Sequence, residues 1–245
     1  IVRLDSLNSK NHFNIAEVYF KLSKQKNAKS SYPSLVKSHL EKSIILDSEN
    51  NEAFALMGEL LLAFSKYEEA IRYYSKIIDT FDSNSETKAD ILYRRGGSFE
   101  RIGNYEKADV DLLNSLEIRP NDPYTLNYLA YSWLERNHKI QEAIQMLELA
   151  YSEKDNDPYI TDSVGWGYYL IGDYQNAEKY LRRAVELMPE DPIVNDHYGD
   201  VLWQLNRKMQ AKYFWKNVLG FEDTEEKMKK DIYDKILNGP KKIKK

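Results

Sequence analysis

A pattern of small and large apolar residues recurs along this chain about every 34 residues, and it constrains the fold more than any other feature. The pattern is clearest from residue 158 to residue 191, where Gly165, Gly172, Ala177, Leu181 and Pro189 follow in that order. Similar residues occur in the same order upstream and downstream of this segment. A period of this length is typical of a helix-turn-helix unit that buries its apolar face only by stacking on its neighbours.

The pattern divides most of the chain into six repeats. We place them near residues 9–50, 51–84, 89–122, 123–157, 158–191 and 192–222. The first two intervals are longer than the others, and their extra residues are rich in Ser, Asn and Lys at 24–33 and 83–88, which we expect to be surface loops. Residues 223–238 predict an amphipathic helix that caps the last repeat, and 239–245 form a basic tail for which we expect no ordered structure.

Each position of the pattern has a physical role in a pair of packed helices, here called helix A and helix B. A small residue in the middle of helix A allows helix B to approach closely. This residue is Gly or Ala in every repeat: Ala16, Gly58, Gly96, Ala130, Gly165 and Gly199. Gly or Asn near the end of helix A suits a left-handed residue. Prolines begin three repeats directly after Asp122, Asp157 and Asp191, which we expect to act as N-caps.

This ladder of residues resembles the tetratricopeptide repeat (TPR), a helix-turn-helix unit of about 34 residues. The resemblance implies an all-α fold, namely a right-handed α-solenoid of about six helix-turn-helix repeats with a C-terminal capping helix. It also implies that a partner binds on the concave surface that the A helices line.

The positions that face this surface in the family are mainly aromatic and acidic here. They give nine candidate partner-binding residues: Tyr93, Asn127, Tyr131, Asp162, Trp166, Tyr169, Asp196, Asp200 and Trp203. The Lys and Asn residues with which some TPR proteins bind acidic C-terminal tails are missing from the matching positions. We therefore expect a partner protein that presents apolar and basic side chains. The alternative for Tyr131, Trp166 and Trp203 is that they pack between neighbouring A helices.

Composition argues against several other classes of function. The chain has no Cys and its four His are scattered, so we expect no metal and no other cofactor. No apolar run reaches the roughly 20 residues of a transmembrane helix. Residues 121–225 carry 10 Lys and Arg against 18 Asp and Glu, which does not suit nucleic-acid binding. Asp162, Asp196 and Asp200 suggest an acid–base pair or a metal site, but a broad, wet groove disfavours both. We expect no catalytic residues and no small-molecule substrate.

These observations favour a non-catalytic scaffold or adaptor that binds another protein in an aromatic and acidic groove. The alternative is a structural subunit whose repeats are packed permanently inside a larger assembly. An isolated acidic groove favours the first function, whereas a large apolar patch on another face favours the second. The sequence leaves the oligomeric state open.

Three runs, at residues 126–133, 162–166 and 195–203, resemble a subset of TPR proteins from Gram-negative bacteria. Many of these are exported to the cell envelope and some are lipoproteins, so the resemblance implies the periplasm or cell envelope, with the cytoplasm as the alternative. The first residue is Ile1 instead of Met, from which we expect the sequence to be part of a longer or processed protein. Membrane contact is then expected only through an N-terminal anchor outside this sequence.

Overall fold

The computed structural model describes residues 7–241, and its regular structure is helical throughout. Thirteen α-helices and one short 3-10 turn form within these residues, which confirms the predicted all-α class. No helix in this part of the chain is long and apolar enough to cross a membrane. The chain divides into two compact units, residues 1–120 and residues 121–245.

The first unit contains three pairs of packed helices. They are α1 (Ser9–Ser23) with α2 (Tyr32–Leu46), α3 (Asn51–Ala63) with α4 (Tyr67–Ile77), and α5 (Glu86–Arg101) with α6 (Tyr105–Ile118). A 3-10 turn at Ile78–Thr80 follows α4. The core of this unit is apolar and continuous from pair to pair, and it includes the fully buried residues Leu40, Met57 and Tyr74.

The second unit contains three further pairs and one single helix. They are α7 (Pro123–Glu135) with α8 (Ile140–Glu153), α9 (Pro158–Ile171) with α10 (Tyr174–Leu187), α11 (Pro192–Gln204) with α12 (Lys208–Val218), and then α13 (Glu226–Asn238). Ile232 of α13 is fully buried and joins a core that also contains Leu181 and Trp215. The single helix therefore covers the apolar end of the last pair, as the capping prediction requires.

Close approach explains the small residue in the middle of helix A. A Cβ atom added to Gly165 would lie 2.6 Å from Leu181 Cγ, and one added to Gly199 would lie 2.3 Å from Trp215 Nε1. Both distances are shorter than any tolerable contact. The large residue on helix B consequently fills the space that a side chain on helix A would occupy.

The helix ends are formed by the residues that the sequence indicated. Asp122, Asp157 and Asp191 each accept a hydrogen bond from a backbone N–H in the first turn of the following helix, which confirms them as N-caps. The turns between helix A and helix B contain left-handed residues at the predicted Gly or Asn: Gly103, Asn137, Gly172 and Asn206. The backbone there turns without strain because these residue types tolerate a positive φ.

The expectation of a surface loop over 83–88 is wrong in part, because α5 already begins at Glu86. The extra residues lengthen helix A instead of forming only a loop. Arg119 lies in the turn after α6. Its Nη2 atom is 2.9 Å from Asp90 Oδ1, and its Nε atom is 3.8 Å from Glu86 Oε2. These two contacts to the first turns of α5 favour the helical form of the added residues.

The prediction of a basic tail falls partly outside the described residues, which include only residues 239–241 of it. Gly239 is buried, with φ +82°, and a Cβ atom added to it would lie 2.5 Å from the Trp203 ring. Gly239, the first residue of the predicted tail, therefore packs against Trp203, because a residue without a side chain can rest on this ring.

Candidate functional site

A cavity of about 690 Å³ lies in the second unit on the side of the A helices. Four of the predicted residues line it, namely Trp166 and Tyr169 on α9 and Asp196 and Asp200 on α11. The remaining lining comes from Glu135 at the end of α7, from the turn before α13, from α13 itself and from the residues that follow it. The cavity thus combines aromatic rings with several carboxylates.

Trp166 is held in a stack of three rings. Its ring lies nearly parallel to the imidazole of His197, with centroids 4.0 Å apart, and nearly parallel to the Tyr169 ring at 4.7 Å. Its indole Nε1 donates a hydrogen bond to Glu135 Oε1 at 3.1 Å. Trp166 is half-buried, so it packs between helices and also contributes to the cavity wall.

Asp162 is paired inside the protein. The Nδ1 atom of His197 lies 2.9 Å from Asp162 Oδ2, and the two residues are 8% and 5% exposed respectively. Burial alone would lower the pKa of His197, but the carboxylates of Asp162, Asp196 and Asp200 raise it above the ordinary histidine value. The carboxylate of Asp162 on α9 therefore pairs with the imidazole of His197 on α11, and little of it is exposed to a partner.

Asp196 and Asp200 are paired in the same manner, with a lysine from α13. Lys235 Nζ donates to both carboxylate oxygens of Asp196, at 2.7 and 2.8 Å, and to Asp200 Oδ2 at 2.9 Å. Burial raises the pKa of Asp200 to about 6, although the ammonium group of Lys235 opposes the shift. The two carboxylates in turn raise the pKa of Lys235, so the lysine is charged at neutral pH.

Three of the nine candidates are buried. Asp162, Tyr169 and Asp200 are at most 5% exposed. Tyr169 belongs to the apolar core, and its hydroxyl accepts a hydrogen bond from Gln204 Nε2 at 3.3 Å. These residues lie where successive A helices touch, which leaves little of their surface for a partner.

Trp203 and Tyr131 are half-buried beside the cavity, and neither lines it. The Trp203 ring lies 5.5 Å from the Trp215 ring, and Gly239 packs against it. Burial raises the pKa of the Tyr131 hydroxyl above its usual value, as do the nearby carboxylates of Glu135 and Asp162. Packing between neighbouring A helices, the alternative considered for these residues, stays a prediction, because Trp203 contacts α12 and the residue after α13.

The last two candidates are not among the residues that line the cavity. Asn127 is on α7, where its Oδ1 atom is buried without a hydrogen-bond partner among the described residues. Tyr93 is on α5 and thus belongs to the first unit. A contact of Tyr93 or Asn127 with a partner stays a prediction.

The structure adds candidate residues that the sequence did not indicate. Glu135, Met228, Asp231 and Asp234 line the cavity, and Lys235 neutralises part of it. A signal for Lys235 was present, because it shares one face of α13 with the apolar residues Met228 and Ile232. A lysine on the buried face of an amphipathic helix indicates a carboxylate partner.

Comparison with known proteins agrees with the helix pairs. Sequence models of the tetratricopeptide repeat match residues 55–124 and residues 165–191. A TPR repeat-containing protein of Pseudomonas aeruginosa is 30% identical over 111 residues, which is 45% of this chain and 19% of that protein. The human aspartyl/asparaginyl beta-hydroxylase is 23% identical over 189 residues, which is 73% of this chain and 23% of that protein. The chain thus spans less than a quarter of the length of either relative.

A solved structure extends the similarity to most of the fold. The pilF protein of Pseudomonas aeruginosa superposes with a TM-score of 0.70 at 15% identity, over 91% of this chain and 95% of that one. At this identity the likeness concerns the fold alone. The two segments matched by the sequence models, residues 55–124 and 165–191, show that the chain contains tetratricopeptide repeats.

Proposed function

We propose that the chain is a non-catalytic scaffold or adaptor that binds another protein on the A-helix side of its second unit. The observation that carries this proposal is the cavity between α9, α11 and α13, which has aromatic and acidic walls. TPR proteins generally mediate contacts between proteins, and this cavity lies on the side of the unit that the A helices line.

The walls of the cavity favour a partner segment with apolar and basic side chains. Trp166 and Met228 provide apolar surface, and an aromatic anchor in a pocket often dominates the binding energy of an interface. Carboxylates around such an anchor attract basic groups and accelerate encounter. A strongly acidic peptide is disfavoured by the same charges.

Site-specific photo-cross-linking tests the proposal. Met228, which lines the cavity, is replaced by benzoylphenylalanine, and cross-linked proteins are identified by mass spectrometry from cells that produce the full-length protein. A matched probe replaces Tyr213, which is 61% exposed on the outer side of α12. We expect a specific partner from position 228 and none from position 213. Equal products at both positions, or none at 228, would contradict binding in the cavity.

A permanent structural subunit is the second candidate, and one observation favours it. Met209 and Tyr213 of α12 are 83% and 61% exposed, and they lie four residues apart on one helix face. An exposed apolar face on a B helix suits burial in an assembly. The same pair of probes separates the candidates, because this function predicts cross-links from position 213.

The similarity to the hydroxylase does not extend a catalytic role to this chain, since the matched part is 23% of that protein. The non-catalytic assignment is supported by the pairing of the carboxylates. Asp162, Asp196 and Asp200 are engaged with His197 and Lys235, so none is free to act as a general base.

We also propose that the protein works in the cell envelope of a Gram-negative bacterium, with the cytoplasm as the alternative. The support is the resemblance of residues 126–133, 162–166 and 195–203 to envelope proteins. Fractionation of cells that carry an epitope-tagged, full-length protein tests this, with periplasmic and cytoplasmic marker proteins followed in parallel. Co-fractionation with the cytoplasmic marker alone would refute the envelope assignment.

A further inference from the structure

The carboxylates around the cavity fall into two groups. Asp196 and Asp200 bind Lys235, as described above. Glu135, Glu225, Asp231 and Asp234 are exposed, and they take part in no ion pair formed within residues 7–241. Glu135 accepts a hydrogen bond from Trp166, and Asp234 accepts one from Asn238. The negative potential of the cavity therefore comes from this second group, which the sequence pattern did not single out.

The second group owes its position to α13. Ile232 is fully buried, and Lys235 forms ion pairs with Asp196 and Asp200 of α11. These contacts fix the rotation of α13 about its axis. Asp231 and Asp234 are three residues apart and so lie on one face of a helix. That face borders the cavity, and Glu135 borders it from the end of α7.

The Lys235 contact shows which ligand chemistry suits this surface. Its ammonium group sits 2.7 to 2.9 Å from carboxylate oxygens of two residues on α11, with three hydrogen bonds. The A-helix side of the unit thus already holds one cation between paired carboxylates. A cationic side chain of a partner would lie near the exposed carboxylates that form no ion pair, beside an apolar wall formed by Trp166 and Met228.

We infer that α13 is a wall of the binding surface as well as a cap, and that Asp231 and Asp234, together with Glu135, accept a lysine or arginine side chain from an otherwise apolar partner segment. This inference rests on the proposed function and specifies which residues recognise the partner. In this inference Asp162, Asp196 and Asp200 do not bind the partner's cationic side chain, because they are paired with His197 and Lys235. Lys227 and Lys241 also line the cavity, so a cationic side chain of the partner competes with these two lysines for the carboxylates.

The test compares two triple variants with equal changes in charge. The first is Glu135→Gln, Asp231→Asn and Asp234→Asn, in which each amide keeps an acceptor oxygen and the shape of the side chain. The control is Glu153→Gln, Glu190→Gln and Glu222→Gln, which replaces exposed acids of the same unit that do not line the cavity. Circular dichroism melting checks that both variants keep the wild-type fold.

The probe is a short fluorescein-labelled peptide of leucine and lysine with one benzoylphenylalanine, and its counterpart has glutamate in place of lysine. Fluorescence anisotropy gives the dissociation constants. We expect the lysine peptide to bind wild type and the control triple variant with similar affinity, to bind the cavity triple variant about tenfold more weakly, and to lose affinity as salt is raised. We expect no binding of the glutamate peptide.

The position of the cross-link separates the inference from the function on which it rests. If the lysine peptide cross-links to α9 or α13 but binds both triple variants equally, the cavity is the binding site and the role of the three carboxylates is refuted. If the cross-links fall on the B helices, or if wild type binds neither peptide, the proposed groove function is refuted as well.

Discussion

The Trp166 ring and the His197 ring lie almost parallel on two successive A helices, with their centroids 4.0 Å apart. A tryptophan that the sequence offered as an anchor for a partner is thus also a contact between repeats. The histidine beneath it is bound to Asp162, so one aromatic pair connects the wall of the cavity to a buried ion pair. The same residues thus stabilise the fold and line the proposed binding surface. A variant at Trp166 or His197 must therefore be tested for stability as well as for partner binding.

Replacement of Lys235 by Met should destabilise the second unit. The variant leaves Asp196 and Asp200 beside each other without their cation, and removal of one partner from a largely buried ion pair costs about 3 kcal/mol. Urea unfolding followed by circular dichroism measures the loss. Lys230→Met, at an exposed position of the same helix, is the control.

The addition of Asp196→Asn and Asp200→Asn to Lys235→Met should restore much of the lost free energy of unfolding, because the buried negative charges are then gone. A Lys235→Met variant as stable as Lys230→Met would show that the ion pair does not hold α13.

The free energy of unfolding should fall as pH rises from about 6 to 8. The pKa of His197 is raised in the folded protein, so folding is favoured by its protonated form, and this stabilisation is complete below about pH 6.5 and is lost as pH passes the folded-state pKa. The pKa of Asp200, raised to about 6, acts in the same direction at lower pH.

The His197→Gln variant should flatten this pH dependence, whereas His138→Gln, at an exposed histidine, should leave it unchanged. The measurement is urea unfolding at a series of pH values and constant ionic strength. Parallel curves for wild type and His197→Gln would exclude His197 as the titrating group.

Gly199→Ala should lower the stability of the last repeat by about 2 kcal/mol, since the new methyl group overlaps the Trp215 ring. Gly220→Ala is a suitable comparison, because the nearest atom to an added Cβ there is 3.5 Å away. Differential scanning calorimetry of both variants decides the point. Equal melting temperatures would mean that helix B can move away from helix A at little cost.

In the first unit, Arg95→Met should cost about 3 kcal/mol. The Arg95 guanidinium forms a two-pronged ion pair with Asp111, at 2.7 and 2.8 Å, and the Asp111 side chain is buried. Arg72→Met, on an exposed face of α4, should change stability by less than about 0.5 kcal/mol. A loss of the same size in both variants, measured by urea unfolding, would contradict the special role of Arg95.

The fold could be predicted because its determinants are local and recur in each repeat. A small residue such as Gly165, a turn residue such as Gly172 and a cap such as Asp157 each act within a single hairpin. The longer helix α5 could not be predicted in the same way, since the residues that begin it occur in one repeat only. Its start depends on Arg119, which is more than thirty residues away along the chain.

The pairing of the candidate carboxylates could not be predicted in this way, because the availability of a charge depends on what lies opposite it in space. Asp162 and His197 are 35 residues apart, and so are Asp200 and Lys235. Opposite charges separated by one repeat length would have indicated both pairs. The exposed carboxylates of Asp231 and Asp234, which form no ion pair, were not among the candidates because α13 was interpreted only as a cap.

The spacing of these pairs also affects how the end of the array opens. In a linear array each repeat is stabilised mainly by its nearest neighbours, so unfolding tends to spread inward from the terminus. Here α13 is tied to α11 through Lys235, and α11 is tied to α9 through His197. Fraying of the C-terminal helix must therefore expose carboxylates on α11, and the amide protons of these three helices should exchange with solvent as one cooperative group.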